Sequence, residues 1–304
     1  MKIWFPDFYT EAHRSPEARA SLVRAFTELG VKCVPEPESG CDLCFCGSIY
    51  SADKVRVAET GMSVVHYNWD LYPWMLMNDR TLNWKEYLED LKTCLGIVVP
   101  NTGTAVRTKE YTGRGCSTVV RAPVQTWEPP ADPPRACPWS SGFYVLDVMR
   151  DYKWDPNRHL AEEVCKAARI PLVRTLTTRP WDEFRWLVAN ARLLLSCYEE
   201  ASTGGLTLLE GYAHGVQCIL NDHPMMGAQE YFGERGLYFN HKDPVNSLTS
   251  ILKARWKAWR RPKPEAVVEN RIWVQVTFGD HQFAKSLLEV FQRCLTDRSI
   301  RERN

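Results

Sequence analysis

Between Ser196 and Gly215 the chain reads Ser-Cys-Tyr-Glu-Glu-Ala-Ser-Thr-Gly-Gly-Leu-Thr-Leu-Leu-Glu-Gly-Tyr-Ala-His-Gly. The apolar run Ala191–Cys197 has the length and composition of a buried strand, and Tyr198–Gly205 is a polar loop ending in two glycines. Leu206, Leu209 and Ala213 then recur at helical spacing until Gly215 stops the helix, and Val216–Leu220 reads as the next strand. A strand, a glycine loop and a helix in that order expose amides at the helix N-terminus, where the dipole favours an anion such as phosphate. Ser202, Thr203, Gly204, Gly205 and Leu206 would line that seat. Glu210, about one turn into the helix, is placed to accept hydrogen bonds from a ribose diol.

Transfer chemistry at such a seat needs cations to neutralise a departing diphosphate. Arg150 and Lys153 stand just beyond the first strand of the second half of the chain, at the end where open α/β sheets bind ligands. Arg174, near another strand end, is a third candidate. No Asp-x-Asp motif of the kind that holds a metal–diphosphate complex occurs, so no metal and no cofactor is expected. In the first half, His66 closes the strand Ser63–His66 and is followed by Tyr67-Asn-Trp-Asp-Leu-Tyr-Pro-Trp74. Asp70 is a candidate base or sugar-hydroxyl partner there, and the aromatic residues suit stacking.

These residues resemble the nucleotide-sugar site of retaining GT-B glycosyltransferases of family 4. Ser202-Thr-Gly-Gly-Leu-Thr-Leu-Leu-Glu210 fits the register of the family's E-G-F-G-L-P-x-L-E-A. Ala213-His-Gly-Val-Gln-Cys-Ile-Leu220 fits the family's small-residue helix end, glycine and valine-rich strand. Gln229-Glu230 and Gly236–Pro244 are similar to a later family stretch. The resemblance implies two Rossmann-like, doubly wound domains facing a central cleft, a nucleoside-diphosphate sugar as donor, and front-side transfer with retention. It also implies Arg150 and Lys153 on the diphosphate, Glu210 on the ribose, and on donor sugar or acceptor His66 or, in another register, Asn68, Trp69 or Asp70. One departure stands out: Ser202 occupies the place of the family's first glutamate. Successive residues of an extended loop point to opposite sides, and Glu200, nearer than Glu199 to that place, is expected to reach the donor sugar. The acceptor is open: a carbohydrate, a small molecule, or a hydroxymethylated base in phage-type DNA. A sugar-nucleotide-binding protein without transfer activity is the alternative that Ser202 motivates.

The elements that must position these groups alternate along the chain. Strands and helical segments succeed one another in both halves, which points to parallel, doubly wound sheets. The expected organisation is an acceptor domain over 1–124 and a proline-rich linker over 125–140. A nucleotide-sugar domain over 141–270 comes next, then a C-terminal helix over 271–304 crossing back to the first domain. At 304 residues the chain is long enough for two cores. Its net charge of +1 gives no general field for a polyanion. No run approaches a membrane span and no signal peptide precedes Met1-Lys-Ile-Trp, so a cytoplasmic location is expected, or the host cytoplasm for a viral protein. The eleven cysteines are read as reduced thiols. Cys41-Asp-Leu-Cys44-Phe-Cys46 lacks a second ligand cluster and is read as a half-buried strand rather than a metal site. The mixed run Ala254–Lys263, with its tryptophans and cations, is read as a solvated helix end and turn.

Overall fold

The computed structural model describes residues 1–5, 16–46, 60–68, 84–115, 118–133, 143–148, 155–174, 180–198 and 205–301. The chain divides into two compact units, Met1–Pro123 with Phe278–Asn304, and Val124–Thr277.

The first unit is built on six parallel strands: β1 (Lys2–Trp4), β2 (Lys32–Val34), β3 (Leu43–Cys46), β4 (Val64–Tyr67), β5 (Gly96–Val99) and β6 (Thr118–Val119). They lie in the order β2-β1-β3-β4-β5-β6. Helices α1 (Pro16–Glu28), α2 (Trp84–Thr93) and α3 (Thr102–Thr112) fall between strands, and α10 (Asp280–Arg301) returns to this unit from the far end of the sequence. Four phenylalanines explain that return. Phe5 stacks on Phe45 at 5.7 Å, Phe26 of α1 stacks on Phe291 of α10 at 6.1 Å, and Phe291 meets Phe45 edge-on at 5.2 Å. All four are buried, each stabilising by roughly 2–3 kcal/mol of apolar transfer. All of β3 is buried, Cys44 and Cys46 included. That corrects the half-buried reading: Leu-Cys-Phe-Cys is a continuous apolar run, as befits a parallel strand covered on both faces.

The second unit carries β7 (Val145–Asp147), β8 (Leu172–Arg174), β9 (Leu193–Ser196), β10 (Gln217–Asn221) and β11 (Leu237–Phe239), all parallel, in the order β11-β10-β9-β7-β8. Its helices are α4 (Leu160–Ala168), α5 (Trp181–Asn190), α6 (Leu206–Ala213), α7 (Ala228–Phe232), α8 (Pro244–Ala258) and α9 (Pro264–Phe278). The core joins Val145, Leu193, Leu195 and Ile219 of the sheet to Leu160, Ala161 and Val164 of α4 and Leu248 and Leu252 of α8. Where one C-terminal helix was expected, there are two, α9 and α10, separated at Gly279.

Each sheet has a point where the strand order reverses. In the second unit the chain goes from β7 outward to β8, then crosses to β9 on the other side of β7. Open α/β sheets bind ligands beyond the carboxyl ends of the strands at such a point.

Candidate functional site

At that reversal in the second unit, β9 leads through Tyr198 toward α6. Gly205 caps the helix with φ 89° and ψ 85°, a left-handed conformation that strains any residue with a side chain. The amide of Leu208 closes the first turn onto the Gly205 carbonyl at 3.0 Å. One turn on, Gly211 lets α6 lie against the sheet, since a methyl there would fall 2.0 Å from Leu194 Cδ1 of β9. This close packing fixes α6, and with it the half-buried Glu210 beside Gly211. The buried Asn221, last residue of β10, donates from Nδ2 to the Tyr198 carbonyl at 3.0 Å, and its Oδ1 accepts the His223 amide at 3.1 Å. One side chain therefore ties the start of the β9–α6 loop to the end of the neighbouring strand.

Arg174, at the end of β8, has a 9% exposed side chain held by three partners. Its Nε donates to Asp147 Oδ2 at 3.0 Å, one terminal nitrogen to Glu162 Oε1 at 2.7 Å, and the other to the Arg158 carbonyl at 2.7 Å. Burial opposes the Arg174 charge, but the hydrogen bond with Glu162 and the field of Asp147 outweigh it and raise its pKa. The Glu162 carboxyl is lowered, first by its hydrogen bond from Arg174 and then by that from His159. Asp147 is fully buried at the end of β7. The guanidinium thus joins the end of β7, the end of β8, the first turn of α4 and the turn before it.

In the first unit, His66 and Asn68 sit at the end of β4, both buried. Tyr87 of α2 donates its hydroxyl proton to Asn68 Oδ1 at 2.7 Å, and the same hydroxyl oxygen lies 3.3 Å from His66 Nε2. Asn68 Nδ2 donates to Thr108 Oγ1 at 2.9 Å, and Thr108 donates to the Thr104 carbonyl at 2.7 Å in α3. Desolvation lowers the His66 pKa to about 4, so the ring is neutral near pH 7.

Of the residues singled out in the sequence, His66, Arg174, Gly205, Leu206 and Glu210 are placed. Asp70, Arg150, Lys153, Glu199, Glu200, Ser202, Thr203 and Gly204 lie outside the described residues. Gly205, Leu206 and Glu210 share one helix start, whereas Arg174 is engaged by protein groups. Sequence reasoning missed Asp147, Glu162 and Tyr87. A polar residue at a strand end was the available signal for Asp147; a tyrosine on an amphipathic helix gave none. The tryptophans also find uses. Trp256 and Trp259, from the run read as a solvated helix end, lie 4.7 and 4.6 Å from the Arg192 guanidinium, with Phe143 at 3.7 Å. Trp181 and Trp127 flank Arg185, and Trp127 in turn meets His214 at a tilt, ring centroids 4.4 Å apart. Every described cysteine is a free thiol, and no cluster of metal-binding side chains occurs among the described residues. No described helix is long and apolar enough to cross a membrane.

No protein-family model matches the chain, and a search of curated proteins finds no match. Solved structures do match over nearly the whole length. HepE from Anabaena, solved with UDP and glucose, superposes with a TM-score of 0.65 at 12% identity, covering 96% of this chain and 100% of that one. Sucrose-phosphate synthase from Thermosynechococcus elongatus gives 0.66 at 14% identity, covering 97% and 99%. AviGT4, a glycosyltransferase involved in avilamycin A biosynthesis, gives 0.55 at 11% identity, covering 97% and 98%. With these neighbours and two parallel-sheet Rossmann-like domains, the fold is GT-B.

Proposed function

We propose that this protein is a glycosyltransferase that moves a sugar from a nucleoside-diphosphate sugar to a hydroxyl acceptor, with retention and without a metal. The observation that carries this reading is the glycine-capped start of α6 beside the strand-order reversal of the second sheet, with Glu210 one turn along. In this reading the amides at the start of α6 take a phosphate of the donor. Arg150 and Lys153 take the rest of the diphosphate, Glu210 the ribose and Glu200 the hydroxyls of the sugar. The growing charge on the leaving diphosphate is met by cations and helix-terminal amides fixed in advance. That HepE was solved with UDP-glucose makes a UDP-sugar the first donor to test.

The test is a thermal-shift screen with UDP-, GDP-, ADP- and TDP-sugars, then incubation with the labelled form of whichever stabilises most. Stabilisation by one nucleotide class with slow donor hydrolysis or transfer supports the reading. A second reading, nucleotide-sugar binding without transfer, is favoured by Ser202 in the place of the first glutamate. Binding with neither hydrolysis nor transfer would select it.

A further inference from the structure

Between Asp243 and Glu265 the chain carries six cations, Lys253, Arg255, Lys257, Arg260, Arg261 and Lys263, and no carboxylate. All six are exposed, on the second half of α8 and on the turn that leads into α9. Among the described residues none of the six is paired with an acid, and Arg260 donates to the carbonyl of its neighbour Trp259. Like charges this close along a helix destabilise it. The whole chain is nearly neutral, at +1, so the cluster is a local feature and not part of a general field.

One turn further on, the outer face of α9 is apolar. Val268, Ile272 and Val276 recur at every fourth residue and are 57%, 54% and 69% exposed. The opposite face anchors the helix. A methyl at Gly215 would fall 2.8 Å from Pro262 and 2.9 Å from Val267, and Asn270 donates to the Tyr212 carbonyl at 3.1 Å. The turn and the start of α9 therefore rest on one support, the end of α6, while Arg261, Lys263 and Val268 beside them in the chain stay in solvent. Glu265 and Glu269 are exposed on α9 as well, so the cations outnumber the acids six to two. The tryptophans are not part of this surface: Trp256 packs against the core that includes α4, and both Trp256 and Trp259 cover Arg192.

We propose that the end of α8, the turn after it and the outer face of α9 form a docking surface for an anionic lipid bilayer. The cations meet the headgroups, and Val268, Ile272 and Val276 enter the boundary with the acyl chains. This goes beyond the transferase reading and does not depend on it. Cations alone would suit a nucleic acid, but its phosphates have no use for a stripe of valine and isoleucine. The stripe alone would suit a protein, yet protein partners take hold through aromatic and arginine anchors seated in pockets. Here the aromatic rings are turned onto Arg192, and the surface is the convex outside of a helix. A second copy of this chain would bring two sets of unpaired cations together. A bilayer takes both features and requires no matching shape.

The test is flotation of the full chain with vesicles of phosphatidylcholine, alone or mixed with phosphatidylglycerol. Wild-type protein is expected to float with the mixed vesicles and not with phosphatidylcholine alone, and added salt should weaken the binding. Replacing Arg260, Arg261 and Lys263 together by glutamine should weaken it about 100-fold, about five-fold for each cation. Val268→Ser combined with Ile272→Ser should weaken it about ten-fold, through the apolar area that no longer leaves water. All five side chains are exposed, so both variants are expected to unfold at the wild-type temperature. Wild-type protein that does not float with the mixed vesicles would overturn the proposal. So would full affinity in the double serine variant, which would leave only charge attraction. Binding to duplex DNA as tight as to the mixed vesicles, and unchanged by the serine substitutions, would overturn it in favour of a nucleic acid. None of these readouts uses a nucleotide sugar, so the outcome stands whether or not the transferase reading holds.

Discussion

Both sheets end in a buried polar cluster at the carboxyl ends of their strands, and the two clusters are made differently. In the second unit Arg174 meets Asp147 and Glu162, a charged group satisfied entirely by the protein. In the first unit His66, Tyr87, Asn68 and Thr108 form a neutral relay. Burying charges costs several kcal/mol per ion unless every donor finds a partner. The Arg174 guanidinium meets that condition by spanning two strands, a helix and the turn before it, which makes it a fastener. The neutral relay avoids the large ionic penalty, because none of its four side chains carries a charge near pH 7. A charged side chain at a strand end is therefore not in itself a ligand-binding one; its protein partners decide.

The largest effect that sharpens this contrast is on stability. Arg174→Ala removes the guanidinium from the buried Asp147 carboxylate, and should cost about 3–5 kcal/mol in denaturant unfolding. A loss below about 1 kcal/mol would show that the guanidinium is not the fastener described. The neutral cluster should reveal itself through pH. The His66 pKa is lowered to about 4 in the folded protein, below the unfolded value, so the folded state binds fewer protons. Its stabilising contribution is full above the unfolded value of about 6.5 and is lost as pH falls toward 4, by up to roughly 3 kcal/mol. His214, also lowered to about 4 chiefly by desolvation, adds in the same direction. His66→Gln should flatten part of this slope between pH 6.5 and 4, and an unchanged slope would contradict burial as neutral imidazole.

Smaller effects concern the site itself. Glu200→Ala should lower turnover by one to three orders of magnitude, about 1.4–4 kcal/mol in the barrier, and Glu199→Ala should cost far less. Equal kinetics for the two variants would remove Glu200 from the donor. The smallest expected effect is none: activity should survive EDTA, because cations and helix amides take the metal's part. Loss on chelation with recovery in Mn²⁺ or Mg²⁺ would reverse that assignment.

Much of the architecture was legible because it is local. The glycine cap, the helical spacing and the stop of α6 all lie within Gly205–Gly215, and periodicity separates helix from strand there. Even the division between α9 and α10 had a signal in Gly279-Asp280, a stop followed by a start. The partners of Arg174 were not legible, since Asp147 and Glu162 lie 27 and 12 residues away and only the fold brings them together. The relay is the same case: Tyr87 and Asn68 are 19 residues apart, on a helix and a strand end. A sequence shows that a polar residue ends a strand, but not whether its hydrogen bonds are already taken.

The central claim is that the start of α6 and Glu210 hold a nucleoside-diphosphate sugar. Isothermal calorimetry of UDP-glucose binding to wild-type protein and to Glu210→Gln tests it most directly, with circular dichroism to confirm that both are folded. The account predicts binding to wild type and at least ten-fold weaker binding to the variant, about 1.4 kcal/mol. Equal affinity in the two folded proteins would contradict it.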